Sequence, residues 1–126
     1  KILHACEERD EAYITCREVL SKLNETIPDS VDLKSSIAMV TETGDMLYQM
    51  SDADLLGMKE MDSAVLRYTL KIYTMTTCIA FWKNPGMMPF FVCRIVRITL
   101  DHGVCQDSIF GLVLYAASIC QQRKVS

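Results

Sequence analysis

The sequence predicts an all-α fold of about five helices, stacked as a solenoid fragment or packed as an orthogonal bundle. Three observations carry this. Through Ala64–Phe81 and Pro89–Leu100 the apolar residues recur at intervals of three and four, the period of helices buried on more than one side. Proline and glycine number three and five in 126 residues, low for the many turns of a β-sandwich. Alanine, leucine and methionine fall in long unbroken runs, which favours helix. Ser63–Cys120 is the organising stretch, and the upstream helices stack on it.

Half of the residues are hydrophobic, enough at this length for one domain with a core of its own. The formal net charge of −3 argues against a nucleic-acid partner, whose binding needs a basic face. No signal peptide is present, and no apolar run reaches the roughly eighteen residues of a membrane span. The six cysteines, Cys6, Cys16, Cys78, Cys93, Cys105 and Cys120, include no C-x-x-C pair and lie mostly in apolar runs. They read as free, small hydrophobes in a reducing cytoplasmic setting. The chain begins at Lys1 and reads as a piece of something longer, with Leu3 and Ala5 in the last turn of a preceding helix.

The first full helix spans Glu7 to about Asn24, with Ala12, Cys16, Val19, Leu20 and Leu23 on one face and Glu25 directed away from it. Its acids Glu7, Glu8, Asp10 and Glu11 suit the positive end of a helix dipole. Pro28 disfavours helix at Ile27 and ends this passage. The second helix runs from about Asp32 to Gln49, with a buried stripe of Leu33, Ile37, Val40, Gly44 and Leu47. A glycine on that stripe predicts a close crossing by a neighbour. Ser51–Met61 reads as a loop with one short helical turn pinned by Leu55, Leu56 and Met58.

Asp62 or Ser63 caps the third helix, which extends to about Trp82. Val65, Thr69, Ile72, Thr76 and Ile79 line it, widened by Leu66, Tyr73 and Ala80, with Arg67 and Lys71 on a narrow polar side. Asn84-Pro85-Gly86 stops it, and Pro89 suits the first turn of a fourth helix ending near Asp101. There Phe91, Ile95 and Ile98 form one strip and Val92, Val96 and Thr99 another. Gly103 supplies the left-handed stop. The fifth helix runs from Gln106 or Asp107 to Gln121, with Ile109, Val113, Ala116, Ala117 and Cys120 on one face and little polar surface elsewhere. Such a helix requires cover on both sides.

Candidate sites are sparse. His4 with Cys6 and His102 with Cys105 are too few for a zinc set. Cys93 or Cys105 with His102 as base lacks an orienting third group. Asp54 opens no calcium loop, and no glycine-rich phosphate loop exists. Arg94, Arg97 and Lys71 offer a small basic patch, but ordinary solubility and local ion pairs are the preferred explanation of them. No cofactor is expected.

Two resemblances sharpen this reading. The first helix, with Ala12, Val19 and Leu20, resembles the second helix of a tetratricopeptide repeat, although Glu25-Thr26-Ile27-Pro28 runs on where the next repeat should begin. The passage from about Glu11 to Ala117 resembles the helical region that follows the ATPase domain in large predicted ATPases of the signalling type. In these, an AAA/STAND-like NTPase is joined to a serine/threonine kinase domain, GAF or PAS sensors and a histidine kinase. The matching positions are Cys16–Pro28 (CREVLSKLNETIP), Leu55–Met61, Asn84–Pro85, Phe90–Leu100 with Asp101-His102-Gly103, and then Ser108, Phe110 and Tyr115, followed by Ala116 where a glycine is common. Lys59 stands where proline is expected. These are packing and turn residues, so the resemblance implies a fold and no active-site residue.

The expected function is therefore a non-catalytic helical scaffold, coupling an NTPase to sensor or kinase domains of a larger chain. Residues 1–30, 31–61 and 62–126 are its successive parts, held by Ala12, Cys16, Leu20, Gly44, Ile72, Phe91, Ile95, Gly103, Phe110 and Tyr115. Its partners are adjacent domains, another protein, or a second copy meeting it through exposed helix faces. The alternative is a free-standing binding domain with an apolar pocket between the third, fourth and fifth helices, walled by Phe81, Trp82, Phe90 and Phe91.

Overall fold

The computed structural model describes the backbone of residues 2–125 and the side chains of residues 4–119. Six α-helices follow in order: α1 (Ile2–Lys22), α2 (Leu33–Tyr48), α3 (Asp52–Leu56), α4 (Ala64–Lys83), α5 (Met88–His102) and α6 (Gln106–Val125). A short 3₁₀ turn, Pro85–Met87, joins α4 to α5. The fold is all-α. The predicted early break is absent, for α1 is one continuous helix from Ile2. Glu7, Glu8, Asp10 and Glu11 consequently lie beyond its first turn, away from the expected dipole role; Glu8 meets His4 Nε2 at 3.0 Å, and Asp10 forms an ion pair with Lys83 of α4.

Helix α5 is the centre, because it is apolar on two sides. Phe91, Ile95 and Ile98 join Tyr13, Cys16 and Leu20 of α1 and Leu70, Ile72, Tyr73 and Ala80 of α4 in one cluster. Val92, Cys93 and Val96 join Val40 of α2 and Tyr115 of α6 in the other. α1 packs chiefly on α4 and α2 on α5, while α6 lies across both α4 and α5. Helices adjacent in sequence at the N-terminal end are thus not each other's main partners. Of the two expected arrangements, this pairing is that of a bundle.

The caps follow the sequence closely. Asp32 accepts from Ser35 N at 2.7 Å to start α2, and Ser63 accepts from Leu66 N at 3.2 Å to start α4. Ser51 and Asp54 form a reciprocal capping box on α3. Leu55 and Leu56 do not pin that turn, being 38% and 89% exposed. The linker is held instead by backbone: Val104 N donates to Lys59 O at 2.9 Å and Met61 N to Val104 O at 2.8 Å. Gly103 makes this strap feasible. Its φ of 109° with ψ 179° is essentially closed to other residues, and an added Cβ would stand 2.6 Å from Lys59 O.

Close approaches also fix α6. A Cβ on Gly111 would meet Ile95 Cγ2 at 2.3 Å, so the α5–α6 contact depends on that glycine. Gly44 stands where a Cβ would come within 2.7 Å of Tyr115 Oη, and Tyr115 donates to Val40 O at 2.7 Å. Thr69, Thr74, Thr76 and Thr77 return their hydroxyls to the carbonyls four residues earlier. That removes the burial penalty of those hydroxyls without any partner from another helix.

Two predicted faces are corrected. On α2 the buried residues are Ser36, Val40 and Thr43, whereas Leu33 and Ile37 are 77% and 50% exposed. The small residues sit inward where α2 packs chiefly on α5 and meets Tyr115 of α6, and Leu33 and Ile37 lie on the other side. On α6 the shared face of Ile109, Val113, Ala116 and Ala117 points outward, and Ser108, Gly111 and Tyr115 point in. Val65 on α4 is likewise exposed, at 60%. The predicted Cys120 member of the α6 face lies outside the described side chains.

Candidate interaction surface

A hydrogen-bonded polar cluster begins where α1 ends. Asn24 takes a left-handed φ of 67°, and Glu25 N and Asn24 N return to Leu20 O and Ser21 O at 3.0 and 3.1 Å. This is a Schellman closure with asparagine in the usual glycine position. It turns Glu25 back under the helix, correcting the expectation that Glu25 faces solvent. Its carboxylate accepts Arg94 Nε at 3.0 Å, Arg94 Nη2 at 3.3 Å and the Tyr73 hydroxyl at 2.5 Å. Burial, and then the adjacent carboxylate, push the Tyr73 hydroxyl well above its usual pKa. Burial is the largest single influence and opposes the Arg94 charge, but the hydrogen bond and charge of Glu25, with a smaller share from Tyr73, together outweigh it and hold the guanidinium more firmly charged. Each of these groups is committed to the others, so the cluster is a clamp joining the α1–α2 turn to α4 and α5.

The remaining polar candidates separate. Arg97 pairs with Glu42 of α2 at 3.0 Å rather than with Asp101, and with Arg94 taken by Glu25 no basic patch forms. Cys93 is buried, and burial pushes its thiol pKa up, away from nucleophilic use. Cys105 Sγ accepts from Ser108 Oγ at 3.7 Å, and Ser108 Oγ in turn accepts from Thr99 at 2.7 Å, while His102 lies exposed. Among the described residues no three His, Cys, Asp or Glu side chains gather in a metal-binding group.

The expected aromatic pocket is divided in two. Phe91 is fully buried, edge-on to Tyr13 with centroids 6.4 Å apart, and Phe90 packs edge-on against Phe91. Phe81 and Trp82 face outward instead. With Thr77, Cys78, Met88, Phe110 and Leu114 they line an apolar groove of about 360 Å³ between α4 and α6. No charged residue lines it. Arg9 of α1 covers one side of Trp82, its Cζ 5.4 Å from the ring centroid.

This groove is the middle of a larger surface. On α6 the exposed Ile109 and Val113 each precede a groove-wall residue, Phe110 and Leu114, and lie about 100° round the helix from it. On the other side, Tyr68, Lys71, Met75, Cys78 and Trp82 run along the exposed side of α4. Tyr68, Met75, Phe81, Trp82, Ile109 and Val113 are 49%, 49%, 56%, 68%, 64% and 60% exposed. At about 200 Å² for a large side chain, these leave on the order of 700 Å² accessible. That exceeds the patch of about 300–600 Å² usual on a monomer and approaches the ~800 Å² each partner contributes to a standard interface.

No helix among the described residues is long and apolar enough to cross a membrane. No protein-family model matches the chain, and neither curated proteins nor solved structures give a match.

Proposed function

We propose that this chain is a non-catalytic helical interaction module that engages protein through the α4–α6 face. On the resemblance to signalling ATPases, the module belongs to a multidomain protein of that type and links its NTPase to sensor or kinase domains. The observation that carries the reading is the set of exposed apolar residues on α4 and α6 on either side of the groove, whose summed area is somewhat above what a monomer's largest patch usually leaves open. The committed polar groups of the Glu25 clamp support the non-catalytic part.

The test compares tagged wild-type chain with Met75→Glu, Val113→Glu and the α2 control Ile37→Glu, all shown by circular dichroism to be folded. A partner retained by wild type and Ile37→Glu but lost by the two face variants supports the proposal. Equal retention by all four proteins would overturn it.

A further inference from the structure

Helix α2 turns much of its apolar side outward. Between Asp32 and Met58 only Ser36, Val40 and Thr43 are buried, and Val40 alone of these is apolar. Leu33 and Ile37 lie outside, and α3 buries nothing. Thr43 Oγ1 is buried without a hydrogen-bond partner; beside it stands the Cys93 thiol, a weak bonding group. Among the described residues two polar links tie α2 to the rest of the chain. Tyr115 donates to Val40 O, and Arg97 pairs with Glu42 at the surface, where an ion pair holds little.

The flanks are held more firmly. On one side Ile27 and Val31 pack on the cluster built from α1, α4 and α5, next to the Glu25 clamp. On the other, Met61 is fully buried in that same cluster, and the backbone of Lys59 and Met61 is strapped to Val104. Helix α2 belongs to the second cluster, with Val92, Cys93, Val96 and Tyr115. The chain from Asp32 to Met58 therefore spans two anchors, and the first cluster stays closed when it lifts. Lifting returns Ser36 and Thr43 to water, which offsets part of the cost of exposing Val40 and the strip beneath it.

We infer that α2 and α3 form a lid, opening as one unit from α5 about hinges at Val31–Asp32 and Met58–Lys59 while the α1–α4–α5 core stays folded. The open state bares the second apolar strip of α5 and the Cys93 thiol. This step does not depend on the interaction reading of the α4–α6 face.

Two buried cysteines test it. Cys16 and Cys93 are 7% and 4% exposed, so access in the closed state gives Cys93 no advantage. The full chain is treated with iodoacetamide without denaturant, and each cysteine is read by mass spectrometry after digestion. Cys93 is expected to react at least about tenfold faster than Cys16, whose exposure requires the core to open. Leu70→Ala, or the milder Ile72→Val, weakens the core and should quicken Cys16 while leaving Cys93 within about twofold. Thr43→Val removes the orphan hydroxyl and keeps the side-chain shape, and should slow Cys93 by about fivefold or more. Equal rates at the two cysteines, or a Cys93 rate that rises in step with Cys16 in the core variants, overturn the lid. A Cys93 rate that Thr43→Val leaves unchanged or quickens also overturns it, because the reagent then arrives by a path that does not lift α2.

Discussion

Replacing Glu25 by alanine removes the one acceptor shared by Arg94 and Tyr73. The Tyr73 ring is fully buried, so its hydroxyl is left without a partner, at a cost of about 1–3 kcal/mol. The Arg94 side chain is 37% exposed and water partly replaces the carboxylate, so the ionic share is discounted to about 1 kcal/mol or less. A total near 2–3 kcal/mol follows, equivalent to a fall of about 10 °C in Tm for a domain of this size. Glu25→Gln keeps an acceptor for Tyr73 and should lose only about 1 kcal/mol. Urea melts of Glu25→Ala, Tyr73→Phe and the double variant give the coupling directly, expected at about 1 kcal/mol or more. A loss below about 0.5 kcal/mol in Glu25→Ala, or additive single effects, would refute the clamp.

The same cluster makes a pH prediction. The raised Tyr73 pKa means the fold favours the neutral hydroxyl over the unfolded value of about 10. That stabilisation is complete below about pH 10 and is lost as pH rises toward the folded value, because the unfolded chain releases the proton first. Wild type should therefore lose stability above pH 10 more steeply than Tyr73→Phe, measured as urea midpoints. Gly111→Ala forces a methyl into Ile95 Cγ2 and should cost about 1–3 kcal/mol, part of it recovered in the double variant with Ile95→Leu, which takes that Cγ2 methyl away. Gly103→Ala meets both a strained φ and the Lys59 carbonyl, and a thermal melt should show a loss of about 2 kcal/mol or more. Tyr13→Phe should leave stability unchanged or raise it by about 1 kcal/mol, because the buried Tyr13 hydroxyl has no hydrogen-bond partner.

Helix α5 was legible because its apolar residues occupy two adjacent strips and both are buried, so either reading of its phase gives the same answer. Residue type placed each cap within a few positions, and the structure selects Asp32, Ser51 and, of Asp62 and Ser63, Ser63. The orientation of α6 was not legible. A helix apolar nearly all round has no preferred face in its periodicity, and the inward side was marked only by Gly111 and Ser108, which carry little hydrophobic signal. The phase of α2 misled for the opposite reason: Leu33 and Ile37 look like core, yet Ser36 and Thr43 are what α5 can accommodate. Glu25 lay beyond the helix, where periodicity says nothing. Asn24 was the available signal there, as the residue after glycine most at ease in a left-handed closure.

Everything proposed for the α4–α6 face depends on its being uncovered in the folded chain. The direct measurement is the stability of the Met75→Glu, Val113→Glu double variant beside Phe91→Ala, by urea denaturation of the isolated chain. With Met75 and Val113 49% and 60% exposed, the charged pair should melt within about 0.5 kcal/mol of wild type. Phe91→Ala, emptying the core, should lose about 3–5 kcal/mol. A loss above about 2 kcal/mol in the charged variant would mean that this face is buried within the fold, and would contradict its role as an interaction surface.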